Sequence, residues 1–176
     1  MRAQSVVTHS PEETMALGAQ LARELKPPVL VLLLGDLGAG KTTLAKGIVA
    51  GLGAAPEEEV TSPTFTMIHE YGVVPSTALP SAALGTGATG RDSAVRVYHV
   101  DLYRVETARE LETLGLEELL AERAVVIVEW GEKLGPALRP GVPSGPGGPG
   151  SVVEIHLAAA GENERRIEVQ VSGVGC

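Results

Sequence analysis

Residues 29–43 of this 176-residue chain, VLVLLLGDLGAGKTT, give the strongest indication of its fold. The six apolar residues of this stretch, Val29 to Leu34, follow two prolines and predict a strand that is buried on both faces. The next eight residues, GDLGAGKT, match the Walker A pattern G-x-x-x-x-G-K-[ST] completely. Residues 42–52 have helical character, and Gly53 follows them. The order strand, glycine-rich loop, helix predicts a phosphate-binding loop, or P-loop.

The chemistry of this loop predicts which residues bind a nucleotide. Glycines let backbone N–H groups turn toward phosphates, and the N-terminus of the following helix adds a favourable partial charge. Lys41 is expected to reach the outer phosphates, and the Thr42 hydroxyl is expected to ligate Mg²⁺. We predict ATP and Mg²⁺ as ligands, with these contact residues: Gly35, Asp36, Leu37, Gly38, Ala39, Gly40, Lys41, Thr42, Thr43 and Ser10.

Two further predicted strands end in a carboxylate. Residues 124–128 are apolar and lead to Glu129, and residues 95–100 lead to Asp101. A P-loop needs an acidic group at the end of a neighbouring buried strand to complete the magnesium shell. One carboxylate can serve magnesium while the other orients or activates water, so Lys41, Asp101 and Glu129 are the predicted catalytic residues. The alternative for either acid is a solvated carboxylate at a strand end.

A hydroxyl-rich segment precedes another predicted strand. Thr61, Ser62 and Thr64 surround Pro63, which suits a switch loop that senses the γ-phosphate. An ordinary turn is the alternative. Trp130, the only tryptophan, is either a core residue or an anchor at a partner surface. The four histidines show no metal-ligand spacing and are interpreted as structural.

Composition narrows the class of protein. The net charge of −8 argues against a surface that grips nucleic acid alone, so any tRNA contact is expected only indirectly, through a partner. The single cysteine, Cys176, excludes an internal disulfide framework. No apolar run approaches the ~20 residues that span a bilayer, and no secretory signal is apparent. We expect a cytoplasmic protein without membrane contact.

The remaining pattern predicts one P-loop NTPase domain over residues 1–176, of class α/β. It has three layers, with a mainly parallel central sheet and antiparallel strands at its margins. Strands are predicted at residues 2–8, 64–71, 95–101 and 124–128, with a closing hairpin at 152–158 and 165–171. Helices are predicted from Pro11 to about Lys26 and from Thr107 to about Arg123, the second interrupted at Gly115. Low-complexity segments at about 73–94 and 139–150 are interpreted as flexible insertions.

Five motifs, in order and spacing, resemble the bacterial TsaE (YjeE) family over most of residues 5–133. They are GDLGAGKTT at 35–43, TSPTF at 61–65, HVDLYR at 99–104, ELETLGLEE at 110–118 and VEWGEK at 128–133. The resemblance implies an ATPase needed to make threonylcarbamoyladenosine beside the anticodon of tRNAs that read codons beginning with A. It also implies the partners TsaD and TsaB, with TsaD carrying the transferase site and ATP hydrolysis resetting the assembly.

The same resemblance implies roles for single residues. Lys41 and Thr42 become phosphate and magnesium ligands, Glu129 the magnesium-linked carboxylate, and Asp101 the other functional acid. Thr61 to Thr64 becomes the switch-like segment, and Trp130 is implied to lie beside the active site and the partner surface. We expect the two low-complexity segments to be longer than is usual in the family, and we expect no C-terminal helix of the kind that some members have.

Three other functions compete with this interpretation. A P-loop kinase for a small metabolite usually needs a basic lid, whereas residues 101–122 carry seven acids against Arg104 and Arg109. A regulatory GTPase is disfavoured because no N-K-x-D sequence occurs, which favours adenine. A degenerate scaffold is disfavoured by the retained Lys41, Thr42, Asp101 and Glu129. We expect slow ATP hydrolysis by the isolated protein and stimulation by partners, because no arginine finger is obvious.

Overall fold

The computed structural model describes residues 3–75, 94–121, 123–134 and 151–173. Within these ranges the strands are β1 (Gln4–Thr8), β2 (Val29–Leu34), β3 (Ile68–Pro75), β4 (Ala94–Asp101), β5 (Ala124–Glu129), β6 (Ser151–Ala159) and β7 (Arg165–Gly173). The α-helices are α1 (Pro11–Ala22), α2 (Lys41–Gly51), α3 (Ala108–Thr113) and α4 (Leu116–Ala121). Two short 3₁₀ turns lie at Glu57–Glu59 and Gly131–Lys133.

The strands form a single seven-stranded sheet with the order β1-β7-β6-β2-β5-β4-β3. Strands β6, β2, β5 and β4 run parallel to one another. Strands β1, β7 and β3 are paired antiparallel at the two margins. This arrangement confirms the predicted α/β class with a mainly parallel centre and antiparallel margins. It brings the carboxyl ends of β2, β4 and β5 to one edge of the sheet.

Apolar residues cover both faces of the sheet. Alternate residues of β2 divide between two clusters, with Val29, Val31 and Leu33 facing α1 and α2. Leu30 and Leu32 face the cluster on the opposite side, which includes Leu116 and Leu120 of α4. A strand that is buried on both faces must be apolar throughout, as the sequence predicts. The two clusters account for the three layers.

Helices α1 and α2 approach each other closely through glycine. A Cβ atom added to Gly18 would lie 2.5 Å from the Leu44 carbonyl oxygen, and one added to Gly47 would lie 2.1 Å from the Met15 carbonyl oxygen. Both distances are far shorter than any van der Waals contact allows. Glycine at these positions therefore fixes how closely α2, and with it the P-loop, is held against α1.

Two predicted boundaries were wrong. Helix α1 ends at Ala22 and not near Lys26, because Glu24 and Leu25 donate to carbonyls three residues back and Lys26 precedes a proline. Strand β3 begins at Ile68 and not at Thr64, because residues 64–66 form a turn and Met67 has a φ of +66°. Left-handed backbone at Met67 is incompatible with extended strand geometry.

Side chains cap the N-termini of α1 and α3. Ser10 caps α1 by accepting from the Glu13 amide, although the Glu13 carboxylate accepts from His9 N and not from Ser10 N. Thr107 and Glu110 form a complete capping box at α3. The predicted flexible insertions lie largely outside the described residues, at 76–93 and 135–150. No helix in the described ranges is long and apolar enough to cross a membrane.

Candidate functional site

The P-loop connects the carboxyl end of β2 to the first residue of α2. Gly35 has a φ of +139°, and a Cβ atom there would lie 2.1 Å from the Leu157 carbonyl oxygen of β6. Gly40 has a φ of +98° and directly precedes α2. Only glycine allows both the left-handed turn and the close packing at Gly35. The loop therefore adopts the strand-to-helix course that exposes the N-terminus of α2.

A cavity of about 400 Å³ opens at this loop. Among the predicted site residues it is lined by Ser10, Leu37, Gly38, Gly40, Lys41, Thr42, Thr43, Ser62, Thr64, Asp101, Glu129 and Trp130. Gly35, Asp36, Ala39 and Thr61 do not line it. Five lining residues were not predicted: Pro11, Thr14, Tyr103, Asn163 and Arg165. A cavity of this size is typical of a site for a small molecule.

Lys41 is buried at the floor of the cavity, with 5% of its surface exposed. Its Nζ donates to the carbonyl oxygens of Gly35 at 2.6 Å and Asp36 at 2.8 Å. The ammonium also lies 3.8 Å from the centroid of the Trp130 ring. Burial lowers the pKa of Lys41, and nearby carboxylates, Glu129 first among them, partly oppose this effect. The predicted phosphate ligand thus rests on neutral acceptors and an aromatic face.

Glu129 lies at the end of β5, on the face that carries α1 and α2, because it shares the side-chain parity of the core residues Val125 and Ile127. It is 3% exposed. Its Oε2 accepts from the Thr42 hydroxyl at 2.9 Å. Its Oε1 lies 2.8 Å from Nε2 of His99. Both carboxylate oxygens therefore have a partner on a neighbouring rigid element.

The oxygen pair of Thr42 and Glu129 fits Mg²⁺. Octahedral Mg²⁺ has ligand distances of about 2.0–2.1 Å, so two adjacent ligand oxygens are separated by about 2.9 Å. The observed separation of Thr42 Oγ1 and Glu129 Oε2 is 2.9 Å. Within the described ranges no group of three or more His, Cys, Asp or Glu residues is arranged to hold a metal. Mg²⁺ usually takes one or two protein oxygens and completes its shell with phosphates and water.

Asp101 ends β4 in direct register with Glu129 and is 2% exposed. Its Oδ2 accepts from the hydroxyls of Ser62 and Thr64, each at 2.6 Å. Its Oδ1 accepts from the backbone amide of Tyr103 at 2.9 Å. The predicted catalytic acid and the predicted switch-like segment are thus in contact. Thr61, the first residue of the predicted segment, has a different partner: its carbonyl oxygen accepts from the Tyr71 hydroxyl at 3.4 Å.

Trp130 lines the cavity and is half-buried. Its φ of +61° is unusual for a bulky residue and turns the chain sharply after β5. The ring packs against Lys41 and against Tyr103, at a centroid distance of 5.2 Å. Leu37, which also lines the cavity, is 76% exposed. Phe65, next to Thr64 and contacted by Arg104, is 81% exposed.

The residues that sequence reasoning missed carry weak local signals. His99 precedes Asp101 by two positions, so strand alternation places both on one face, but its pairing with Glu129 depends on which strands are neighbours. Tyr103 follows Asp101 by two positions. Asn163 and Arg165 are more than 120 residues from the P-loop in sequence and reach the cavity only through the β6–β7 hairpin.

Comparison with known proteins agrees with this geometry. A family model described as "Threonylcarbamoyl adenosine biosynthesis protein TsaE" matches residues 8–167. The chain is 36% identical to the Bacillus subtilis tRNA threonylcarbamoyladenosine biosynthesis protein TsaE over 94% of this chain and 84% of that protein. It is 31% identical to the protein of that name from Treponema pallidum, over 93% and 97% of the two chains. The crystal structure of Bacillus subtilis YdiB superposes with a TM-score of 0.60 at 30% identity, covering 98% of this chain and 87% of that one. The chain therefore belongs to the TsaE family.

Proposed function

We propose that this chain is a Mg²⁺-dependent ATPase that serves tRNA threonylcarbamoyladenosine synthesis together with TsaD and TsaB. One observation carries the proposal. Lys41, Thr42, Asp101 and Glu129 converge on one cavity at the carboxyl ends of three neighbouring strands, around the N-terminus of α2. Family membership supports the pathway, and the relatives' names describe tRNA threonylcarbamoyladenosine biosynthesis.

In this proposal the P-loop amides and the N-terminus of α2 bind the phosphates of ATP. Lys41 leaves the carbonyl oxygens of Gly35 and Asp36 and moves to the outer phosphates, where an anion is a stronger partner than neutral acceptors. Thr42 and Glu129 would hold Mg²⁺, which neutralises charge on the phosphate oxygens. Asp101 is the acid available to orient the attacking water, which displaces ADP in line from the γ-phosphorus.

An arginine side chain often accelerates such reactions by stabilising charge in the transition state. Arg165 is the arginine among the lining residues, and its Nη1 lies 2.9 to 3.5 Å from three carbonyl oxygens of its own hairpin. With the Arg165 guanidinium engaged there, Lys41 and Mg²⁺ would carry the charge stabilisation. This supports slow hydrolysis by the isolated chain and faster hydrolysis in a complex.

A partner surface is proposed at the mouth of the cavity. Exposed Leu37 lines the cavity, as do Trp130 and Tyr103, and exposed Phe65 directly follows the lining residue Thr64. Large exposed side chains around a functional opening are typical of a contact surface. Binding of TsaD and TsaB there would couple the complex to the state of the nucleotide, and tRNA would be reached only through them.

The test is ATP turnover by the purified chain, alone and with TsaD and TsaB, for wild type, Lys41→Ala and Glu129→Ala. Glu57→Ala, an exposed acid outside the cavity, is the matched control. We expect partner-stimulated release of phosphate that both site variants lose and the control retains. A different result would contradict the proposal: turnover that does not change with the partners and requires a small-molecule acceptor. If the phosphoryl group is then recovered on that acceptor, the protein is a kinase and not an ATPase.

A further inference from the structure

His99 is the one histidine among the buried polar residues of the described chain, with 0% of its surface exposed. It lies on β4, where it pairs with Ile127 of β5. Two residues further along the same strands, Asp101 pairs with Glu129. A fully buried polar side chain needs a reason, because leaving water is unfavourable for it. The reason is found at Nε2, which lies 2.8 Å from Oε1 of Glu129.

The two ring nitrogens of His99 have different surroundings. Nδ1 is buried and has no hydrogen-bond partner. A proton on Nδ1 would be a buried donor without an acceptor, whereas a bare Nδ1 only leaves a lone pair unused. The arrangement therefore favours the tautomer with the proton on Nε2, and this N–H donates to the Glu129 carboxylate.

The ring is also fixed in place. It stacks on Tyr71, with 6.4 Å between centroids and 29° between planes, and β3 holds Tyr71 next to it. The donor on Nε2 therefore meets Glu129 from a rigid position inside the sheet. With Oε1 held, rotation of the carboxylate would break that hydrogen bond, and Oε2 remains directed at the Thr42 hydroxyl.

We propose that His99 is a positioning residue, which holds Oε1 of Glu129 so that Oε2 is presented to Thr42 and to the Mg²⁺ of the bound nucleotide. The inference rests on the proposed function. In it, the N–H of His99 on β4 supports the carboxylate of Glu129, which would hold magnesium. Loss of such an outer partner typically costs about 10- to 100-fold in metal affinity or activity.

The experiment uses two amide substitutions that differ in reach. In His99→Gln the side-chain NH₂ takes roughly the place of Nε2 and can still donate to Glu129. In His99→Asn the NH₂ takes the place of Nδ1 and falls short. Val97→Ala, on the same strand and the same buried face, controls for loss of packing. Thermal unfolding without nucleotide shows how much each change costs in stability.

The readout is the Mg²⁺ dependence of binding of a fluorescent ATP analogue, together with kcat and KM for ATP hydrolysis. We expect His99→Asn to weaken the apparent affinity for Mg²⁺ about tenfold or more, and to lower kcat, while binding of the analogue in EDTA is unchanged. His99→Gln should recover most of the loss. Val97→Ala should lose stability without any change in Mg²⁺ dependence.

A double substitution tests whether the effect runs through Glu129. In a Glu129→Ala background, His99→Asn should cause no further loss of Mg²⁺ affinity. A loss of the same size in that background would overturn the inference, as would Asn and Gln variants that bind Mg²⁺ like wild type. If wild type binds ATP and hydrolyses it with Mg²⁺, such results reject the role of His99 alone. If wild type shows no Mg²⁺-dependent binding, the proposed function fails as well.

Discussion

Asp101 and Glu129 occupy the same register on neighbouring strands, yet they are supported differently. The partners of Glu129 belong to regular elements, His99 on β4 and Thr42 on α2. The side-chain partners of Asp101, Ser62 and Thr64, belong to the irregular segment between the Glu57–Glu59 turn and β3. The regular elements of the core therefore fix the geometry of Glu129. Asp101 and the loop that carries Ser62 and Thr64 instead hold each other through their hydrogen bonds.

This difference favours different roles for the two acids, which the sequence left open. A carboxylate that positions a metal benefits from rigid support, because small displacements are costly in catalysis. A carboxylate that is bonded to a hydroxyl-rich loop can exchange those bonds when a γ-phosphate arrives. Glu129 thus suits the magnesium role, and Asp101 suits the link between the nucleotide and the loop.

The largest effect is expected at Glu129. Replacing it with alanine removes the carboxylate beside Thr42, and we expect kcat for ATP hydrolysis to fall on the order of 10²–10³-fold. Steady-state phosphate release measures this, with the exposed Glu57→Ala as control. Hydrogen exchange of residues 62–67 should stay at the wild-type rate, because Glu129 has no bond to that segment. Retained hydrolysis in Glu129→Ala would remove Glu129 from the metal role.

Asp101→Ala should have the opposite effect on hydrogen exchange of residues 62–67. The substitution releases the hydroxyls of Ser62 and Thr64, so amides of residues 62–67 should exchange faster while β5 keeps its protection. We expect kcat to fall by about 10²-fold if Asp101 orients water. The measurement is hydrogen exchange followed by mass spectrometry, compared with Glu129→Ala. Equal loop protection in both variants would mean that the two carboxylates do not differ in the way described.

The residues behind this comparison show what a sequence can predict. The apolar β2 and β5, the P-loop and the two strand-end acids were predictable, because buried parallel strands, glycine turns and terminal carboxylates each leave a local pattern. The start of β3 was not, because a left-handed Met67 and two hydroxyl bonds to Asp101 decide it. The His99 contact depends on β4 lying beside β5, and strand order is a property of the whole sheet.

A smaller effect is expected from the loop hydroxyls. Ser62→Ala and Thr64→Val each remove one hydrogen bond to a buried carboxylate, which typically contributes about 1.5–3 kcal/mol, although solvent access at the loop reduces this. We expect each to lower the free energy of unfolding by about 1 kcal/mol, measured by urea denaturation. Thr66→Ala, exposed in the same turn, should stay within about 0.5 kcal/mol of wild type. A larger loss for Thr66→Ala would remove the special role of the two hydroxyls.

The smallest effect concerns the pKa of Lys41, to which Glu129 and Asp101 contribute unequally. Burial lowers the pKa of Lys41 below its ordinary value of 10.5, while Glu129 raises it more than Asp101 does. Glu129→Gln should therefore lower this pKa further than Asp101→Asn, measured by NMR titration of the lysine side chains.

The sign for stability follows from the same shift. Because the folded state binds the Lys41 proton less tightly than the unfolded chain, the unfolded state holds more protons between the two pKa values, and stability rises with pH across that alkaline window, below 10.5. At neutral pH the charged, buried Lys41 costs stability, and Lys41→Met should lack this alkaline gain. A Glu129→Gln variant should widen the window more than Asp101→Asn. Equal windows in the two variants would show that Lys41 responds to both acids alike, even though only Glu129 shares a rigid framework with the start of α2.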